Sequence, residues 1–131
     1  MAGALSIALF ALGYLWLLGH SPLVAEYLAA RKRDLADNAM VKISTAIMAV
    51  LCAPPAEEYL FRGLLFRALD REWGGWKAVI GSALFFAIYH PPIAWLPVML
   101  LGVFNACLFK ATGRLAPCVV AHMAYNAVML L

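Results

Sequence analysis

The chain has 131 residues, of which 66% are hydrophobic and only 13% charged, with a formal net charge of +3. Soluble domains carry roughly 45–50% apolar and about 25% charged residues, so composition excludes an ordinary soluble domain and points to an integral membrane protein. The lysines and arginines stand mostly between apolar runs, where they act as topological anchors, and no basic patch for nucleic acid is present.

In chain order, Ala2 to Leu18 is the first apolar span, ending at Gly19-His20. It lacks a basic leading region and a small-residue cleavage site, and Tyr14 and Trp16 suit a membrane interface, so it reads as a span and not as a signal peptide. Ser21, a candidate N-cap, and Pro22 open a mixed segment in which Val24, Tyr27, Leu28 and Leu35 form an apolar stripe opposite Arg31, Lys32, Arg33 and Asp34. This predicts an amphipathic helix on the membrane surface; a solvated loop fits the same residues equally well.

A second span is expected from Val41 to Leu69, emerging at Asp70-Arg71-Glu72, followed by a turn at Trp73-Gly74-Gly75-Trp76. A third helix, Lys77 to His90, stops at Pro91-Pro92. At 1.5 Å per residue it is roughly 21 Å long, short of a ~30 Å hydrocarbon core, which places His90 below the membrane surface. The fourth span is Trp95 to Phe109, with Lys110 and a turn at Thr112-Gly113-Arg114 behind it, and the fifth is Leu115 to Leu131. The expected fold is all-α, a polytopic transmembrane helix bundle with about five spans. Basic residues mark both sides of the spans in similar number, so orientation is not assigned. Cys52, Cys107 and Cys118 form no CxxC pair, lie in apolar segments and read as small core residues.

The stretch Pro54-Pro55-Ala56-Glu57-Glu58-Tyr59-Leu60-Phe61-Arg62 breaks the apolar pattern. Ionised groups at bilayer depth cost several kcal/mol each, so their presence there marks a function. The prolines suit the first turn of a helix, which would set the glutamates near a positive dipole end. Glu58 and Arg62, spaced i,i+4, can pair, and Glu57, about 100° away, is the carboxylate left free. His90, Asn105, His122 and Asn126 are the other polar groups inside the spans. A carboxylate, two histidines and an amide from separate helices suit activation of water beside a polarised carbonyl. His122 and Asn126 share a helix face and can both aim at one oxygen. Asn105 reads as a hydrogen bond between helices, and Phe86 as packing against His90.

Glu57-Glu58-x-x-x-Arg62, Phe86-x-x-x-His90 and His122-x-x-x-Asn126 resemble, in order, the three motifs of the CPBP intramembrane endopeptidases, the CAAX-protease, Abi or Rce1-like group. The resemblance covers roughly residues 42–131, the protease core, and leaves 1–41 as an N-terminal span plus surface segment. It implies that Glu57 and His90 hold and activate a water, that His122 and Asn126 stabilise the oxyanion, and that Glu58 and Arg62 support the site. It implies no cofactor and no metal. Implied partners are membrane lipid and a hydrophobic or lipidated protein or peptide substrate, such as a prenylated tail, a bacteriocin leader or a sorting tail. Family members usually carry more helices ahead of the first motif, which adds a second copy or a partner subunit to the expected partners. Three other readings stay open: a zinc site of Glu57, His90 and His122; a Cys118–His122 dyad; and a membrane immunity or scaffold protein without turnover.

Overall fold

The computed structural model describes residues 2–36 and 38–130, without the side chains of Arg31, Asp34, Leu35 and Ala36. Among these residues every regular element is helical: α1 (Ala2–Leu18), α2 (Pro22–Ala36), α3 (Ala39–Glu72), α4 (Gly75–Ile88), α5 (Trp95–Thr112) and α6 (Leu115–Met129), with a 3-10 turn at Pro92–Ala94. The all-α expectation holds. Two helices are long and apolar enough to cross a membrane, α3 with 34 residues and the 21-residue run Pro92–Thr112. A third such unit is α1 with the first part of α2, bent by 118° at their junction, whereas α4 and α6 are apolar but shorter. The chain is an integral membrane protein.

Several boundaries differ from the sequence pattern for local reasons. The second span begins at Ala39, not Val41, because Asn38 caps it: its Oδ1 accepts from the Met40 and Val41 N–H groups at 2.9 and 3.2 Å. It also runs past Leu69 to Glu72. Helix α4 starts two residues before Lys77, directly after Gly74, where both Gly74 and Gly75 take positive φ (66° and 52°). It stops at Ile88, and the N–H of His90 closes onto Ala87 O at 2.9 Å. Helix α5 continues to Thr112, where Gly113 (φ 66°) forms a left-handed cap and donates to Phe109 O at 2.7 Å. The segment after Ser21 is a helix and not a loop. Val24 and Leu28 on it are half-buried and Tyr27 is exposed, while Leu35, Arg31 and Asp34 of the expected stripe lie outside the described side chains.

Packing follows small residues. Ala4, Ala8 and Ala11 put one face of α1, fully buried, against α5 and α6. Gly102 lets α5 reach α4, since a Cβ there would stand 3.0 Å from the Ala83 Cα. Close backbone approach of this kind is how helices associate in lipid, where burying leucines gives little advantage. Phe61, Phe86, Val98, Leu101 and Tyr125 fill one core beside Ala8 and Ala11; Phe66, Val79, Ala106, Phe109 and Cys118 fill another. Outside them α3 exposes Ile43, Ile47, Leu51, Leu60 and Leu64. Glu58, Arg62, Ser82, Asn105 and His122 lie inside.

Candidate active site

The site is built on α3, and its prolines do not start that helix as the sequence pattern predicts. They lie within it, in the first turn of an α-helical segment, Ala53–Glu58, that follows a π-helical turn at Met48–Cys52 and precedes a second π stretch, Tyr59–Phe66. The glutamates therefore sit in a continuous helix and have no free N-terminus behind them. The register change has a definite cost. Ala53 N–H goes five residues back to Met48 O, and Pro54 has no N–H, so Ala49 O loses both its α and its π donor. Asn126 repairs this from α6: its Nδ2 donates to Ala49 O at 2.7 Å. From α4, Ser82 Oγ donates to Phe61 O in the second π stretch at 3.2 Å.

Glu58 is the centre of a closed polar knot. Its Oε1 accepts from Arg62 Nη1 at 3.2 Å, Asn105 Nδ2 at 2.9 Å and His122 Nδ1 at 2.9 Å. Arg62 Nε stands 3.1 Å from Oε2, close enough for ion pairing although the N–H is not aimed for a hydrogen bond. Arg62 Nη2 donates to Gly102 O at 3.0 Å, and its guanidinium lies 4.5 Å above the Phe86 ring. Glu58, Arg62 and Asn105 are fully buried and His122 is 2% exposed. A carboxylate paired with arginine only accepts, so Nδ1 of His122 must be the donor. This leaves Nε2 as the ring nitrogen facing outward from the knot.

That nitrogen meets Glu57, whose Oε2 stands 3.7 Å away with its side chain 26% exposed. His90 arrives from the end of α4, half-buried, its Nδ1 bonded to Phe86 O at 2.9 Å. The Phe86 ring separates the two imidazoles, edge-on to both, at 4.9 Å from His90 and 5.5 Å from His122. The structure thus brings Glu57, Glu58, Arg62 and His122 into direct contact, sets His90 one ring away, and ties Asn126 to Ala49. One proton of the Asn126 amide is committed there and one remains.

Asn105 is the residue that sequence reasoning undervalued. It does join helices, but its acceptor is the Glu58 carboxylate; the available signal was an amide alone in an apolar span, with no motif partner to direct attention to it. The Cys118 thiol bonds Asn105 O (3.4 Å) and Arg114 O (3.7 Å), and no hydrogen bond links it to His122 among the described residues. Glu57, His90 and His122 are not gathered into a group able to share a metal ion, nor is any other His, Cys, Asp and Glu set among the described residues.

A buried carboxylate, guanidinium, amide and imidazole held between apolar helices define a membrane protein with a polar site inside its helix bundle. The chain belongs to the Rce1-like family, described as type II CAAX prenyl endopeptidase Rce1-like, which it matches over residues 39–128. The match begins with α3 and covers nearly all of α6. This is a protease family. The chain is also 28% identical over 87 residues to the UPF0177 protein YbdI of Lactococcus lactis subsp. lactis (strain IL1403). That alignment covers 65% of this chain and 46% of YbdI, so the chain spans about half the length of that relative. No solved structure matches it.

Proposed function

We propose that the chain is a metal-independent, glutamic-type intramembrane endopeptidase that cuts a membrane-associated, hydrophobic or lipidated protein or peptide. Water held between Glu57 and His90 gives a proton to Glu57 as its oxygen attacks the scissile carbonyl carbon. The carbonyl oxygen takes the negative charge and is met by His122 Nε2–H and the remaining Asn126 amide proton. Collapse of the tetrahedral intermediate breaks the C–N bond, and the proton passes from Glu57 to the leaving amine. For Nε2 to donate, the ring must carry both protons, with Glu58 on one nitrogen and Glu57 beside the other. In this reading α1, α3, α4, α5 and α6 are the five spans of a multi-pass protein of a prokaryotic cell membrane, and α4 and α6 set the chemistry below the surface.

The observation that carries the proposal is the unequal treatment of the two glutamates. Glu58 is buried, takes three hydrogen bonds on Oε1 and is ion-paired to Arg62, whereas Glu57 keeps solvent access next to an imidazole nitrogen that Glu58 has oriented. That is the arrangement a general base requires. The test is mass spectrometry of peptides released in membranes carrying the wild type or Glu57→Gln, with prenylated peptides as purified reporters. Glu57→Gln should lower turnover by about 10²–10⁴-fold, the usual worth of a general base, while the protein inserts and purifies normally. Activity should also survive exhaustive chelation. Full turnover by Glu57→Gln, or stoichiometric zinc lost and regained together with activity, would refute the mechanism.

A further inference from the structure

We propose that Asn105 is a positioning residue of this site, one that sets the register of α6 against Glu58 and thereby aims His122. The inference rests on the catalytic reading of Glu57 and His122. Asn105 spends both amide protons: one goes to Glu58 Oε1 at 2.9 Å, the other to Cys118 O at 3.2 Å. The reversed amide would set its oxygen against a carboxylate and a carbonyl, two acceptors, so only this orientation is compatible with the neighbours.

The choice of acceptors is what separates positioning from simple helix adhesion. Arg62 also grips Glu58, but both belong to α3 and move together, so their pair carries no information about α6. Cys118 is one helical turn before His122 on the same face of α6. By bonding Glu58 and Cys118 O at once, Asn105 fixes how far the His122 ring lies from the carboxylate that receives its Nδ1–H. The Cys118 thiol returns the tie by donating to the Asn105 backbone oxygen at 3.4 Å. With Nδ1 held at 2.9 Å from Glu58, Nε2 is the nitrogen delivered to Glu57. Without the Asn105 amide, Glu58 Oε1 would keep two donors of three, and the only polar tie left from residue 105 to α6 would be the weak thiol bond from Cys118 to its backbone oxygen.

The experiment uses the full chain in lipid nanodiscs, ¹⁵N-labelled at histidine and asparagine, with Asn105→Leu and Asn105→Asp beside the wild type. In the wild type the His122 signals should report a protonated Nδ1. Both variants should shift the Nδ1 signal, as its hydrogen bond to Glu58 loosens. On a fluorogenic prenylated peptide they should lower kcat by about 10–100-fold, the scale of a small misplacement of a reacting group, with KM nearly unchanged. A folded variant with wild-type kcat and wild-type His122 signals overturns the proposal. If neither variant folds, the wild-type Asn105 amide decides: slow proton exchange supports the tie to Glu58, and rapid exchange overturns it. Should the wild type cleave no reporter, the protease reading fails, yet the His122 signals of the variants still decide the positioning.

Discussion

Glu57 and Glu58 are neighbours of identical chemistry with opposite fates. Glu58 points into the bundle, accepts three hydrogen bonds on one oxygen, and is fully buried. Glu57, about 100° around the helix, has a quarter of its side chain exposed and His122 Nε2 at 3.7 Å. In a medium of low dielectric a buried, ion-paired carboxylate is a fixed charge that orients its neighbours, whereas an accessible one can exchange protons with bound water. One helix face is therefore scaffold and the next is chemistry.

The sharpest way to break this contrast is to neutralise each glutamate in turn and measure unfolding in detergent. Glu58→Gln strands the Arg62 guanidinium without its counter-charge, and losing one partner of a buried ion pair typically costs about 3–5 kcal/mol. Glu57→Gln removes a partly solvated group and should cost about 1 kcal/mol or less. Equal stability losses for the two would show that the faces do not differ in the way described.

Much of this was legible in the sequence. The i,i+4 spacing gave the Glu58–Arg62 pair, and the 100° step left Glu57 apart from it. The three motifs paired Glu57 with His90 and His122 with Asn126, whereas the contact the structure shows is Glu57 to His122 at 3.7 Å. Three features were not legible. Pro-Pro reads locally as a helix start, because the pattern cannot show that a π turn will carry the helix through it. Asn105 has no partner within its own helix, so its bonds to Glu58, 47 residues earlier, and to Cys118 exist only once the helices pack. Ser82 is a small polar residue in an apolar helix with no signal of its own in the sequence, and its role depends on Phe61 O facing it.

The π turn makes Asn126 a harder test case than its motif position implies. Sequence reasoning expects Asn126→Ala to lower kcat by about 10²–10³-fold as an oxyanion donor is lost, with stability unchanged. The Ala49 bond adds a second effect, because a carbonyl left without a donor in this part-buried place costs up to the roughly 1–3 kcal/mol of a fully buried one. The two can be separated by restoring the missing donor. Pro54→Ala supplies an N–H that can reach Ala49 O in the π register, so Pro54→Ala/Asn126→Ala should regain much of the lost stability while kcat stays low. If kcat returns along with stability, Asn126 acts by holding α3 and not by stabilising the oxyanion.

Ser82→Ala is the matching control and the smallest effect expected. Like Asn126, Ser82 donates from a neighbouring helix to a backbone oxygen in a π stretch of α3, and it is fully buried. Unlike Asn126, it has no assigned part in the reaction and bonds on the far side of Glu58 in the chain. Removing the hydroxyl should cost about 1 kcal/mol, the net worth of one ordinary hydrogen bond, seen as a small fall in Tm. The kcat of the folded fraction should be unchanged, because Phe61 O orients none of the groups that meet the substrate. A large loss of kcat in Ser82→Ala at nearly wild-type Tm would show that the π geometry itself aims Glu57. The line between scaffold and chemistry would then have to be redrawn to include the second π stretch.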